Sequence, residues 1–156
     1  MSYFNTQKKR ASNALKMSSF WCEVLVLIPI SMLGIWWPVW FEWTGYDKYL
    51  LAAAWFTFGL GSLATIMLQR SFMPERLDNY KRANLIFIVI FSLLGAVFYG
   101  KALLYEIEGK PLTEVLLGMN ILQLAIFFNV FVWVWNIVSN SDYDTSAGNP
   151  LGENYE

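Results

Sequence analysis

Histidine does not occur in this chain. Without it the usual haem ligand, the usual zinc ligand and the commonest general base are all missing. Cysteine occurs once, as Cys22, so no internal disulfide can form and no redox compartment can be read from one. Charge is scarce too: 15% of the 156 residues are Asp, Glu, Lys or Arg, against about 25% in ordinary soluble domains. The net charge of −1 gives no footprint for nucleic acid. There is no Ser-His or Cys-His pair, no metal-ligand spacing and no phosphate-cradling glycine loop. Gly59-Leu60-Gly61 falls inside an apolar run. An enzyme is therefore not expected, nor a cofactor or a metal centre.

What the chain has in abundance is apolar surface. Hydrophobic residues make up 56% of it and aromatic residues 18%, and the charges gather in short islands between long apolar runs. Runs of about 20 residues cross a bilayer. The expected fold is an all-α integral membrane protein, with four transmembrane helices as two antiparallel hairpins over residues 19–138. A basic cytoplasmic lead (residues 1–18) precedes them, and a polar, acidic, disordered tail (residues 139–156) follows.

The stretch from Gln69 to Arg82 divides the two hairpins. It carries Arg70, Arg76, Lys81 and Arg82 against Glu75 and Asp78, and Pro74 forbids an unbroken helix through it. The spans are expected at about 19–37, 49–68, 84–105 and 112–138. The first holds Glu23 and runs into Trp36-Trp37-Pro38 instead of a small-residue cleavage site, so it reads as an uncleaved span. Pro29 predicts a kink within it, because neighbouring groups in a membrane helix re-satisfy the freed carbonyl. Trp36, Trp37, Trp40 and Trp43 crowd its outer end as one side of an aromatic belt. In the second span Gly59, Gly61 and the Ala52–Ala54 run allow close helix approach. The third is apolar on every side from Leu85 to Phe98.

Lys and Arg counts orient the chain. Lys8, Lys9, Arg10 and Lys16 precede the first span, and the connector holds its four; the outer loops with Lys101 hold three. The positive-inside rule then places both termini and the connector in the cytoplasm, as in a multi-pass protein of a bacterial inner membrane.

Two sets of polar residues are candidates for more than packing. Glu23 lies about one turn inside the first span, with Arg70, Lys81 or Arg82 as prospective partners. The fourth span carries Asn120, Gln123, Asn129 and Asn136. At about 100° per residue the first two share one side and the last two nearly the opposite side, which suits glue to two different helices better than a single pore. Lys101 with Glu108 or Glu114 is a candidate outer ion pair.

The halves repeat a plan. LGIWWPVW and TGYDKY precede the second span, and LLGAVFYGKALL and IEGKPL precede the last. This tandem of two-helix units resembles the YiaA/YiaB-type inner-membrane proteins over about residues 20–138. Leu33-Gly34-Ile35-Trp36 and Gly45-Tyr46-Asp47-Lys48-Tyr49 echo that family's aromatic, glycine-containing linker. The resemblance implies the four-span layout and no particular activity. The expected function is non-enzymatic: a multi-pass protein acting through contacts with a membrane-protein partner or a second copy, as an accessory subunit or an immunity or exclusion protein. The alternative is a small oligomeric transporter or channel.

Overall fold

The computed structural model describes residues 3–42, 51–72 and 80–144. Pro74, Glu75, Arg76 and Asp78, residues 43–50 with Trp43, and the tail beyond Asp144 lie outside the described residues.

Three helices form the body of the protein: α5 (Ala52–Phe72), α6 (Lys81–Ile107) and α7 (Ile121–Val138). Each is long and apolar enough to cross a membrane, as an all-α membrane protein requires. They pack on one another around Ala52, Leu63, Ile66, Ile88, Tyr99, Leu122, Ala125 and Val132. Outward they present large apolar side chains such as Ile86, Ile90, Leu93 and Val97. Tyr99 is fully buried, and its seat exists because residue 59 is glycine: a Cβ there would stand 2.2 Å from the Tyr99 ring. Gly59 thus serves packing within the chain.

The helix ends explain where the elements stop. Beyond α6, Gly109 adopts φ +63, Lys110 N–H bonds Tyr105 C=O at 2.9 Å and Gly109 N–H bonds Glu106 C=O at 3.1 Å, a Schellman ending. The Glu106 carboxylate accepts the Ala52 backbone N–H, placing negative charge at the positive end of α5. α7 opens on a reciprocal box in which Asn120 and Gln123 each bond the other's backbone N–H at 2.9 Å.

Several expectations are corrected. The helix of the last expected span starts at Ile121, not near residue 112. The residues before it make a two-stranded antiparallel hairpin, β1 (Glu114–Leu116) and β2 (Met119–Asn120). Glu114 pairs with Asn120 and Leu116 with Met119, so Val115 is an extra residue on its strand, a bulge. The two-residue loop Leu117-Gly118 has φ +54 and +74, the positive pair of a type I′ turn.

The second span runs on to Phe72, four residues past its expected end at Leu68, so Arg70 sits in a helix and not in a loop. The lead is not shapeless: α1 (Tyr3–Ala14) is a helix whose Gln7, Arg10, Asn13 and Ala14 are buried. It lies across one end of the bundle. Tyr3 Oη donates to Asn84 Oδ1 of α6 at 2.7 Å, and Asn13 Nδ2 donates to the Tyr143 carbonyl at 2.8 Å. That carbonyl belongs to a 3₁₀ turn (Ser141–Asp144), so the start of the expected disordered tail is ordered, with Tyr143 packed on Ala14 and Ile137.

The first apolar segment is one continuous run in sequence and two helical pieces in space: a helix over Ser18–Ser31, made of α2 (Ser18–Cys22), a π turn (Glu23–Leu27) and α3 (Ile28–Ser31), and then α4 (Leu33–Glu42) beyond Met32. Pro29 causes this, but its kink is spread on both sides. Proline has no N–H for the Leu25 carbonyl and its ring crowds that carbonyl. The wider π turn relieves the crowding upstream, with Ile28 N–H bonding Glu23 C=O. Downstream the helix breaks at Met32, where φ/ψ is −87°/7°, and the Trp36 indole N–H takes up the Pro29 carbonyl at 2.8 Å.

Candidate functional site

Polar side chains within the bundle fall into three connected groups. In the first, Ser62 Oγ of α5 donates to Asn129 Oδ1 of α7 at 3.2 Å, and Asn129 Nδ2 donates to Tyr99 Oη of α6 at 3.3 Å. One amide therefore ties three helices together, each bond contributing about 0.6–2 kcal/mol in such surroundings. In the second, Arg70 Nε donates to Asn136 Oδ1 at 2.6 Å, and its Nη2 donates to the Asn136 carbonyl and, at 2.8 Å, to Ser139 Oγ. In the third, Trp133 Nε1 donates to Glu23 Oε1 at 3.1 Å, while the Trp133 ring stacks on Phe20 with centroids 6.5 Å apart.

All three groups border one cavity of about 800 Å³. Its walls are the π turn and α3 on one side and α5 and α7 on the other. The broken first segment stands away from the bundle along this length, touching α7 through Phe20, Glu23 and Trp133, and the gap behind those contacts is the cavity. Most of the lining is apolar. The polar exceptions include Glu23, Thr57, Ser62, Thr65, Asn129 and Asn136. Gly61 faces the opening, with nothing within 4 Å of where a Cβ would sit. The α5 wall is low because Thr57, Gly61 and Thr65 recur every four residues and present only small groups.

The singled-out residues therefore separate. Glu23, Asn129 and Asn136 meet at the cavity. Asn120 and Gln123 do not glue helices: each spends its side chain on the other's backbone at the start of α7. Glu23 does not pair with Arg70, Lys81 or Arg82; its bond is to Trp133, and Arg70 is directed to Asn136 and Ser139. Lys101 is not in an ion pair with Glu108 or Glu114. It lies 5.8 Å from the Tyr105 ring centroid, and Glu108 pairs with Lys110 at 2.6 Å. Among the basic residues expected on the cytoplasmic side, Lys8, Lys9, Lys16 and Arg82 are exposed and Lys81 is half-buried, whereas Arg10 and Arg70 are buried.

Tyr99 and Trp133 carry no signal in the sequence as polar contacts, and Ser62 reads as a hydroxyl that bonds its own helix. Each is a common residue of membrane helices, and only the packing shows its partner. What Glu23, Asn129 and Asn136 form together is a carboxylate and two amides in an apolar, aromatic-walled space. No protein-family model, no curated protein and no solved structure matches the chain.

Proposed function

We propose that this is a non-enzymatic multi-pass protein of a bacterial inner membrane that acts through contacts with another membrane component, as an accessory subunit or an immunity or exclusion protein. In this reading the broken first segment joins α5, α6 and α7 as a fourth span. Both termini are cytoplasmic, in keeping with the Lys and Arg counts and with the layout that resembles the YiaA/YiaB-type proteins. The hairpin between α6 and α7 then lies on the outer face.

The observation that carries the proposal is Leu117. It is 85% exposed and holds φ +54, a conformation that costs leucine about 1–2 kcal/mol and that glycine or asparagine adopts freely. Val115 and Leu116 beside it are exposed as well. A strained apolar tip on a rigid two-residue turn breaks a local rule with no gain in packing, which is where a binding surface is expected.

A photo-crosslinking amino acid at position 117, with another at lipid-facing Leu93 as control, tests the proposal in native membranes. A discrete protein adduct is expected at 117 and none at 93. Lipid adducts alone at both positions would count against it. The second reading, a small oligomeric transporter or channel, is favoured by the few polar groups, Glu23 and Asn129 among them, that face the otherwise apolar cavity. Proteoliposome flux that is indifferent to Glu23→Ala and Asn129→Leu would remove it.

A further inference from the structure

The cavity beside α5 defines a class of ligand by what its walls offer and what they withhold. Its size, about 800 Å³, falls within the range of about 300–1,000 Å³ typical of small-molecule sites, and its lining is mostly apolar with a few convergent polar groups. One of those groups is a carboxylate. Glu23 Oε1 has a single neutral donor, the Trp133 indole, and among the described residues no donor reaches Oε2 and no cation pairs with either oxygen. A carboxylate accepts up to about four hydrogen bonds and in an apolar setting calls for a counter-charge.

The aromatic rings supply the rest. Trp55, Phe58 and Trp133 all border the cavity, and aromatic faces attract cations within about 6 Å of their centroids. An anion finds no comparable seat. Arg70 turns its N–H groups to Asn136 and Ser139, and the polar groups on the α5 wall are all neutral: the hydroxyls of Thr57, Ser62 and Thr65 and the amide of Gln69.

We propose that this cavity binds an organic cation with an apolar body, its charge set against Glu23 and its body lodged among Trp55, Phe58 and Trp133 over the low wall at Gly61. Glu23 provides the charge selectivity, the rings the affinity and Gly61 the room. The assignment concerns occupancy alone. It depends neither on the hairpin contacts nor on movement of the ligand across the membrane.

The test uses the full chain in detergent micelles or nanodiscs, with tetraphenylphosphonium and octyltrimethylammonium as probes and tetraphenylborate as a shape-matched anion. Saturable binding of at least one of the cations, near one per chain, is expected by equilibrium dialysis, with a change in the chain's tryptophan fluorescence following the same transition. Glu23→Gln keeps the acceptor for Trp133 but removes the charge, and is expected to weaken binding at least tenfold. Gly61→Leu fills the space while improving helix propensity, and is expected to abolish binding without lowering the unfolding temperature. No saturable binding of either cation by folded wild-type protein would overturn the proposal. Equal affinity for tetraphenylborate, or retention of binding in Gly61→Leu, would also overturn it.

Discussion

Arg10 and Arg70 converge on one residue from distant parts of the chain: Arg10 Nη1 donates to the Ser139 carbonyl at 3.0 Å, and Arg70 Nη2 donates to the Ser139 hydroxyl at 2.8 Å. Ser139 caps the C-terminal end of α7, where backbone carbonyls lack partners and the helix dipole is negative. Both arginines are buried, at 2% and 7% exposure, so protein groups close the helix end. This pairing fastens α1 and the last turn of α5 to the end of α7.

Replacing either arginine by methionine keeps the bulk and orphans the acceptors, at about 1–3 kcal/mol for each buried group left unpaired. Arg70→Met is expected to be the more severe, since Arg70 also bonds the side chain and the carbonyl of Asn136. Thermal unfolding in micelles, followed by circular dichroism, measures both. Arg10→Met is further expected to release α1, seen as faster hydrogen exchange over residues 3–14. An Arg70→Met protein within about 0.5 kcal/mol of wild type, the usual range for surface changes, would mean that this closure contributes little.

Gly59→Ala should destabilise although alanine improves helix propensity by about 1 kcal/mol. The new Cβ would lie 2.2 Å from a ring atom of Tyr99, which has no exposed side to move toward. Overpacking of this kind costs about 1–3 kcal/mol net. In a Tyr99→Ala background the obstacle is gone, and Gly59→Ala is expected to become neutral or stabilising. Equal effects of Gly59→Ala in both backgrounds would show that the contact is relieved some other way.

How much of this could be read beforehand depends on which signal each element offers. α6 was legible because its apolar run has no polar stripe, and its observed bounds lie within three residues of the expected 84–105. The end of α5 was misplaced because Gln69 and Arg70 read as the start of a loop, whereas Arg70 continues the helix by finding acceptors on α7. The α1 helix escaped notice because its buried face at 7, 10, 13 and 14 has helical spacing but is mostly polar, and patterning rules weigh apolar residues. The hairpin was hidden because Val115, Leu116, Leu117 and Met119 read as the opening of the apolar run into α7, yet its boundary was written in Asn120 and Gln123 three residues apart, a capping box ahead of that run. The cavity had no local signature at all. Glu23 and Trp133 are 110 positions apart, and only the proline-broken first segment brings them together.

Leu117→Gly separates strain from function. Glycine at φ +54 relieves the left-handed penalty but carries more freedom into the unfolded chain, so a net gain of up to about 1 kcal/mol is expected. Little burial is lost, because the side chain is 85% exposed. The same change removes the apolar tip. The unfolding temperature is expected to hold or rise while partner adducts, read from a crosslinker at neighbouring Val115, disappear. A more stable protein that keeps those adducts would place the contact elsewhere.

Asn129 offers the most demanding test of the bundle's polar centre. Asn129→Leu preserves volume but leaves Ser62 Oγ and Tyr99 Oη without the bonds they make at 3.2 and 3.3 Å. Each lost bond is worth about 0.6–2 kcal/mol among membrane helices. Removing every member of a buried polar set can be nearly neutral, since no orphan remains. The triple variant Ser62→Ala, Tyr99→Phe, Asn129→Leu is therefore expected to unfold at a higher temperature than Asn129→Leu alone. Coupling among the three sites should reach about 0.5–3 kcal/mol, as for residues in one network. Strictly additive losses across the series would show that the three side chains act independently, and that Asn129 is not what joins α5, α6 and α7.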